Sequence, residues 1–391
     1  MTHPSFDPTP ERRLLFLCTR PPGQEDAAFA EGLARPLDWP RLQTLLIWHG
    51  LFPLFYRRLR ALRDNPLDPQ TMARFRDLHL QSSARALVLC NHLLPLLDRL
   101  RSAGVTAVPT KGPVLAQRLY GDIGARVYDD LDLLLLDGDH DTVTGVFAGL
   151  GYRPMIELGR AQQRFWQRSG REFVFFRRGI MVDTHRRLSE GPAFYRPDPR
   201  LRDRLVPLRI EGRDVPVLPD EDRLLILCMH GTKHHWEVLK WLADVAHLVD
   251  AAPNLNWDAL ASLARRAGAR TTLASALGLA RNLAGVEIPA GALDRIDPGR
   301  GAFWTARYER ELTAGGDRMG KVRRRAWPLG IIDTGVQRLR YLLYYLFTPK
   351  YADIARVHLP GAAAPLYYLL RPPAVMLRAL GLLGRRLTGR R

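Results

Sequence analysis

Apolar residues recur at three and four residue spacing from Pro10 to about Gly104. The helical segments are ERRLLFLC, WPRLQTLLIWHGLFPLFYRRLRAL and a long stretch from Pro69 to Arg101. The rhythm then changes to short runs of β type at Thr106–Pro109, Val127–Leu136, Arg171–Phe176 and Ile180–Thr184, separated by turn residues and one or two helices. A proline-rich and arginine-rich stretch from Pro192 to Pro219 reads as a connection, after which helical periodicity returns in DEDRLLILCMHGTKHHWEVLKWLADVAHLVDAA and NWDALASLARRAGARTTLASALGLARNLAG. The pattern predicts an α+β protein: a helical N-terminal region (1–104), a mixed α/β core (105–219), a helical C-terminal domain (220–345) and a basic apolar tail (346–391). In the tail, Pro and Gly interrupt any long amphipathic face, so packing against the domain is the expectation and peripheral contact with an anionic membrane the alternative.

Composition adds a bound on partners. The chain has 391 residues, 46% of them hydrophobic, and a net charge of +18 that comes from arginine, since only five lysines occur: Lys111, Lys233, Lys240, Lys321 and Lys350. Such charge suits a polyanionic partner, but the arginines do not cluster with aromatics into a dedicated nucleic-acid module. An RNA-directed transferase is thus suggested by charge alone. Cys18, Cys90 and Cys228 are far apart and odd in number, as in a reducing compartment. No export signal and no apolar run of about 20 residues is present, so a cytoplasmic protein is expected.

Candidate chemistry centres on TKGPVLAQRLYGDIGARVYDDLDLLLL, residues 110–136. Alternation along a strand puts Asp130 and Asp132 on one face, with Leu131, Leu133 and Leu135 on the other. Two neighbouring carboxylates repel unless a cation compensates them. Mg²⁺ does so with hard oxygen ligands. The alternative is a polar strand end, with Asp129 and Asp130 at a turn and Arg126 in a salt bridge. Upstream, Lys111 and Gly112 precede a helix whose first N–H groups can cradle a polyphosphate. Downstream, FVFFRRGIMVDTHRRL reads as a hairpin turning at Arg178-Gly179, with Asp183 and His185 on one face of its second strand. A third carboxylate on a neighbouring strand is what two-metal phosphoryl transfer requires. Tyr120, Tyr128 and His185 border this cleft in the same reading, as stacking or proton-carrying groups.

The segment CMHGTKHHWEVLKWLADVAHL places His230 and His234 four apart on one helical face, with Lys233 and Trp241 nearby. A zinc site lacks the glutamate of HExxH and any cysteine pair. Two readings remain: a packed histidine and tryptophan seam, or Lys233 and His230 reaching nucleotide phosphates.

Together the block TKGPVLAQRLYGD with its following R...DDLDLLL, the VDTHRRL strand and the HGTKHHWEVLKWLADVAHLV segment resemble the bacterial uncharacterised nucleotidyltransferase family, within the polymerase-β-type superfamily. The resemblance implies a mixed-sheet nucleotidyltransferase core. It implies Asp130, Asp132 and Asp183 as catalytic residues and metal ligands, Lys111 and Gly112 as the phosphate loop, and Arg126 as a charge-neutralising neighbour. The activity implied is Mg²⁺-dependent transfer of a nucleoside monophosphate from a nucleoside triphosphate to a small-molecule, peptide or saccharide acceptor. Where the superfamily has a serine after the loop glycine, this chain has Pro113, without hydroxyl or N–H. That departure keeps a second reading open, a catalytically weak nucleotide-binding or scaffold protein.

Overall fold

The computed structural model describes residues 9–387 except 24–25, 64, 157–158, 160–161, 164, 167–172, 191–192, 196–197, 314–328, 351–352, 354–356 and 358. Five N-terminal helices follow the apolar periodicity: α1 (Pro10–Thr19), α2 (Asp26–Leu33), α3 (Trp39–His49), α4 (Phe52–Ala61) and α5 (Pro69–Ser102). Local chemistry sets their ends. The Asp38 carboxylate accepts from the backbone N–H of Arg41, and Gly50 stops α3 in the left-handed region at φ 65°. The apolar run from Trp39 to Ala61 is thereby split into two helices.

The central sheet comprises β1 (Ala107–Pro109), β2 (Asp130–Leu135), β3 (Arg153–Pro154), β4 (Phe173–Arg177) and β5 (Ile180–His185), in spatial order β1-β2-β5-β4-β3. Only β2 and β5 pair in parallel; the other pairs are antiparallel. The sheet is thus mixed, as expected for the α+β class. Between its strands lie α6 (Pro113–Tyr120) and α7 (His140–Gly149). The β4–β5 hairpin turns at Arg178 and Gly179, both at positive φ, the turn that matches the strands' twist.

The stretch expected as a connection, Pro192–Pro219, instead holds three strands: β7 (Ala193–Tyr195), which pairs with β6 (Leu188–Glu190) just before it, and the pair β8 (Val206–Ile210) and β9 (Arg213–Val217). Pro207 and Pro216 face each other across the second ladder, where its isolation as a two-stranded ribbon tolerates their missing donors. Helices follow: α8 (Asp220–Lys233), α9 (Lys240–Asp250), α10 (Trp257–Ala267), α11 (Arg270–Ala284), α12 (Ala292–Ile296), α13 (Arg300–Thr313), α14 (Gly335–Phe347) and α15 (Tyr367–Leu387).

Two large apolar cores result among the described residues, beside a small cluster of Trp166, Ala364 and Tyr367. One joins the N-terminal and C-terminal helices, with Leu14, Phe55, Leu225, Leu242 and Leu277 in a single cluster. The other lies under the sheet, where Leu89, Leu93 and Leu100 of α5 meet Leu131, Leu133, Phe175 and Val182. Leu134, on the opposite face of β2, belongs to the helical core. The face of β2 that carries Asp130 and Asp132 therefore looks toward the C-terminal helices.

Candidate active site

The register of one strand pair creates the site. Asp132 lies directly beside Asp183 across β2 and β5, and Leu134 lies beside His185. Period-two alternation then puts Asp130, Asp132, Asp183 and His185 on one face. Asp132, Asp183 and His185 each present a ligand atom, all within 4.8 Å of one another. His185 Nε2 lies 3.3 Å from Asp132 Oδ1. The group brought together thus holds His185 where the sequence suggested Asp130, which sits one pleat nearer the strand start, beside Met181.

Electrostatics separate the two aspartates of β2. Burial disfavours a charged Asp132, but the Lys111 ammonium, the His185 hydrogen bond and the histidines His185 and His230 outweigh it and hold the carboxyl well below its usual range. Lys111 Nζ lies 3.8 Å from Asp132 Oδ2 and 3.0 Å from His230 Nδ1. The pKa of Asp130 is raised, first by burial and then by the neighbouring charge of Asp132. The two carboxyls of one strand are thus shifted in opposite directions.

Thr110 ties the Lys-Gly turn to β2 by donating its N–H to the Asp132 carbonyl at 3.0 Å. Gly112 follows at φ 64°, ψ −133°, a conformation only glycine adopts without strain, and Pro113 opens α6. Proline suits this position because the N–H it lacks would have no partner in the helix. No serine hydroxyl is available to a phosphate here, so polar side-chain contact from this turn rests on Lys111.

The remaining basic residues divide. Arg126 is buried, and its guanidinium grips Asp244 through Nε at 2.9 and 3.0 Å and Nη2 at 2.9 Å, while the Tyr120 hydroxyl donates to the same carboxylate at 3.2 Å. Its direct partner is a carboxylate on α9, and its charge reaches Asp130 only at longer range. Tyr128 is also buried and donates to the Ile123 carbonyl at 3.1 Å. The cleft has a basic neighbour that the motif reading passed over. Lys240 opens α9, donates to the Val127 carbonyl at 3.1 Å, and is pushed down to about 8 by burial and by Arg126, against the pull of Asp244, Asp129 and Asp130. Lys233 is exposed in the last turn of α8.

The histidine segment is not one helix. His235 and Trp236 take left-handed conformations at φ 54° and 55°, and the chain turns between α8 and α9. Such strain costs about 1–3 kcal/mol per residue. Full burial of the Trp236 ring against Gly231 offsets it, since a Cβ at residue 231 would lie 2.3 Å from that ring. The turn still packs His230, His234 and Trp241 together in tilted and edge-on contacts, with ring centroids 4.7, 5.0 and 5.3 Å apart, and these partly exposed rings adjoin Lys111 through His230.

The model of the uncharacterised nucleotidyltransferase family matches residues 35–285, well over half of the chain, including both carboxylate strands, the Lys-Gly turn and the histidine segment. The chain belongs to this family. As a member of the uncharacterised nucleotidyltransferases it is a transferase, with a nucleoside triphosphate as the substrate the family implies. No curated protein and no solved structure matches the chain. No helix among the described residues is long and apolar enough to cross a membrane.

Proposed function

We propose that this nucleotidyltransferase moves a nucleoside monophosphate from a nucleoside triphosphate to a hydroxyl of a small-molecule, peptide or saccharide acceptor. The observation that carries the reading is the registered pair Asp132 and Asp183 on parallel strands, with His185 hydrogen-bonded to Asp132.

That donor set fits a divalent cation such as Mg²⁺: two carboxylates supply hard oxygens, and His185 orients one of them. When bound, the ion supplies polarisation of the phosphoryl oxygens and neutralisation of charge that develops during transfer. In this reading the chain's own groups do the rest. Asp183 accepts the proton of the acceptor hydroxyl, and Asp130 contributes a further acidic group at the start of β2, the strand of Asp132. Lys111, braced by His230, neutralises the departing pyrophosphate, with the Gly112 backbone close by. Arg126 serves by fixing the loop before β2 through Asp244, and Lys233 adds positive charge on the helix that carries His230. Triphosphate and magnesium supply makes the cytoplasm the compartment of this reaction, in keeping with three cysteines that are free and buried.

A second reading is favoured by Pro113: with no hydroxyl at the position after the loop glycine, the chain would bind nucleotide and serve as a weakly active scaffold. Calorimetry with Mg²⁺ and each of four nucleoside triphosphates, followed by a pyrophosphate-release assay over an acceptor panel, separates the two. Binding with release supports transfer. Binding without release across the panel supports the scaffold, and absence of any binding removes both.

A further inference from the structure

The last two helices present their apolar side outward. On α15, Tyr367 and Arg371 point inward and are almost fully buried, and Arg371 Nη1 pairs with Asp353 at 2.7 Å. Leu369, Leu370, Met376 and Leu377 project to the surface, 44–69% exposed, and their spacing of one and seven residues makes them a single stripe. This is the reverse of an ordinary surface helix, whose arginines face water and whose leucines face the core. Helix α14, which packs against α15, buries none of its residues. Its positions Val336, Leu339, Leu343 and Phe347 recur at helical spacing and are 40–80% exposed. Most of the large exposed apolar side chains among the described residues lie in these two helices and the segment between them.

Charge indicates what covers the face. Residues 335–391 contain ten arginines and lysines and one acid, Asp353, whose charge is already taken by Arg371. Arg338 and Arg340 are exposed beside the α14 stripe, and tyrosines 341, 344, 345 and 368 accompany it. A second copy of this chain would set two such cationic segments against each other. An anionic lipid surface accepts both the leucine stripe and the arginines, and amphipathic tyrosine rings favour the headgroup level. We propose that α14 and α15 form a docking face for the surface of an anionic bilayer, lying on it without crossing. This proposal goes beyond the transferase reading and does not depend on it.

The test is co-sedimentation of the full chain with vesicles of phosphatidylcholine alone or with about 30% phosphatidylglycerol. The expected result is binding to the anionic vesicles only, weakened about tenfold between about 0.1 and 0.5 M salt. Leu369→Glu with Leu377→Glu should abolish binding while leaving the melting temperature unchanged, because both side chains are exposed. Should that pair unfold the chain, Arg338→Gln with Arg340→Gln reads the same face through charge alone, and a severalfold loss is expected. Absence of sedimentation with anionic vesicles at low salt overturns the proposal, as does binding indifferent to both variants. A concentration-dependent dimer in sedimentation velocity, dissolved by the leucine variant and without vesicle binding, also overturns it and assigns the face to a second copy.

Discussion

Replacing Arg126 by methionine removes the guanidinium that grips Asp244, whose side chain is fully buried. The aliphatic stem survives, so the loss is electrostatic. Breaking one side of a buried pair leaves an uncompensated carboxylate and costs about 3–5 kcal/mol. Here the Tyr120 hydroxyl still donates to Asp244 and the Lys240 ammonium lies near, so we place the expected loss at the lower end, about 3 kcal/mol. A domain's whole stability is about 5–15 kcal/mol, so the change is readily measured. Urea unfolding of the wild type, Arg126→Met, Asp244→Leu and the double variant forms a complete cycle. The double variant should recover much of the loss, because it removes both charges from an apolar seam, and the coupling should be about 2 kcal/mol or more. Triphosphate affinity of the folded Arg126→Met protein should change little, since the residue acts through Asp244. An Arg126→Met loss below about 1 kcal/mol, or strictly additive single changes, would refute this account of the pair.

Asp132→Asn and Asp183→Asn should each lower divalent-cation affinity about 100-fold, read by Mn²⁺ paramagnetic relaxation, whereas His185→Gln, which loses only the orienting contact, should cost about tenfold. His247 is buried against Tyr120, and burial lowers its pKa from 6.5 to about 4, so the unfolded chain binds a proton more readily. Stability is therefore full above pH 6.5 and falls by up to about 3 kcal/mol as pH drops toward 4; His247→Phe should flatten that limb in urea titrations at successive pH values. Gly231→Ala should lower stability by about 1–3 kcal/mol in thermal melts, because the new methyl meets the Trp236 ring where no space exists. Gly112→Ala should cost about 1–3 kcal/mol from its backbone conformation and should weaken triphosphate binding as well.

What the residues announced was set by the range over which each signal acts. Alternation is local, so the shared face of Asp130 and Asp132, and that of Asp183 and His185, was readable from the strands themselves. The register between those strands was not. It depends on the path through α7, β3 and β4, and it brings Asp132, rather than Asp130, beside Asp183. His185 was in view as a neighbour of the cleft, yet nothing local marked it as the group that would join the two carboxylates. The partnership of Arg126 with Asp244 spans 118 residues and carries no motif. The break after Lys233 was hidden for another reason: neither glycine nor proline marks the left-handed pair His235 and Trp236, and the apolar rhythm runs through it. Two of the five lysines, Lys233 and Lys240, fall in this segment. That drew attention to Lys233, whereas Lys240 of the same segment joins Lys111 among the charges that act on Asp130. The β8–β9 ribbon had alternation and a Glu-Gly turn, but its two prolines argued against strands.

Helix α5 extends through 34 residues, about 50 Å, and belongs to both cores: Phe75 near its start lies in the helical one, Leu89 to Leu100 in the one under the sheet. Midway, the Arg85 guanidinium holds the Asp129 carbonyl at 3.1 Å and the Gly179 carbonyl at 2.9 Å, the entry to one carboxylate strand and the turn before the other. A single helix thus acts as the common datum from which both strand ends are measured. Loosening either core tilts that datum, so the spacing of Asp132 and Asp183 is a property of the whole molecule's cohesion, and substitutions that touch neither residue reach the chemistry through it.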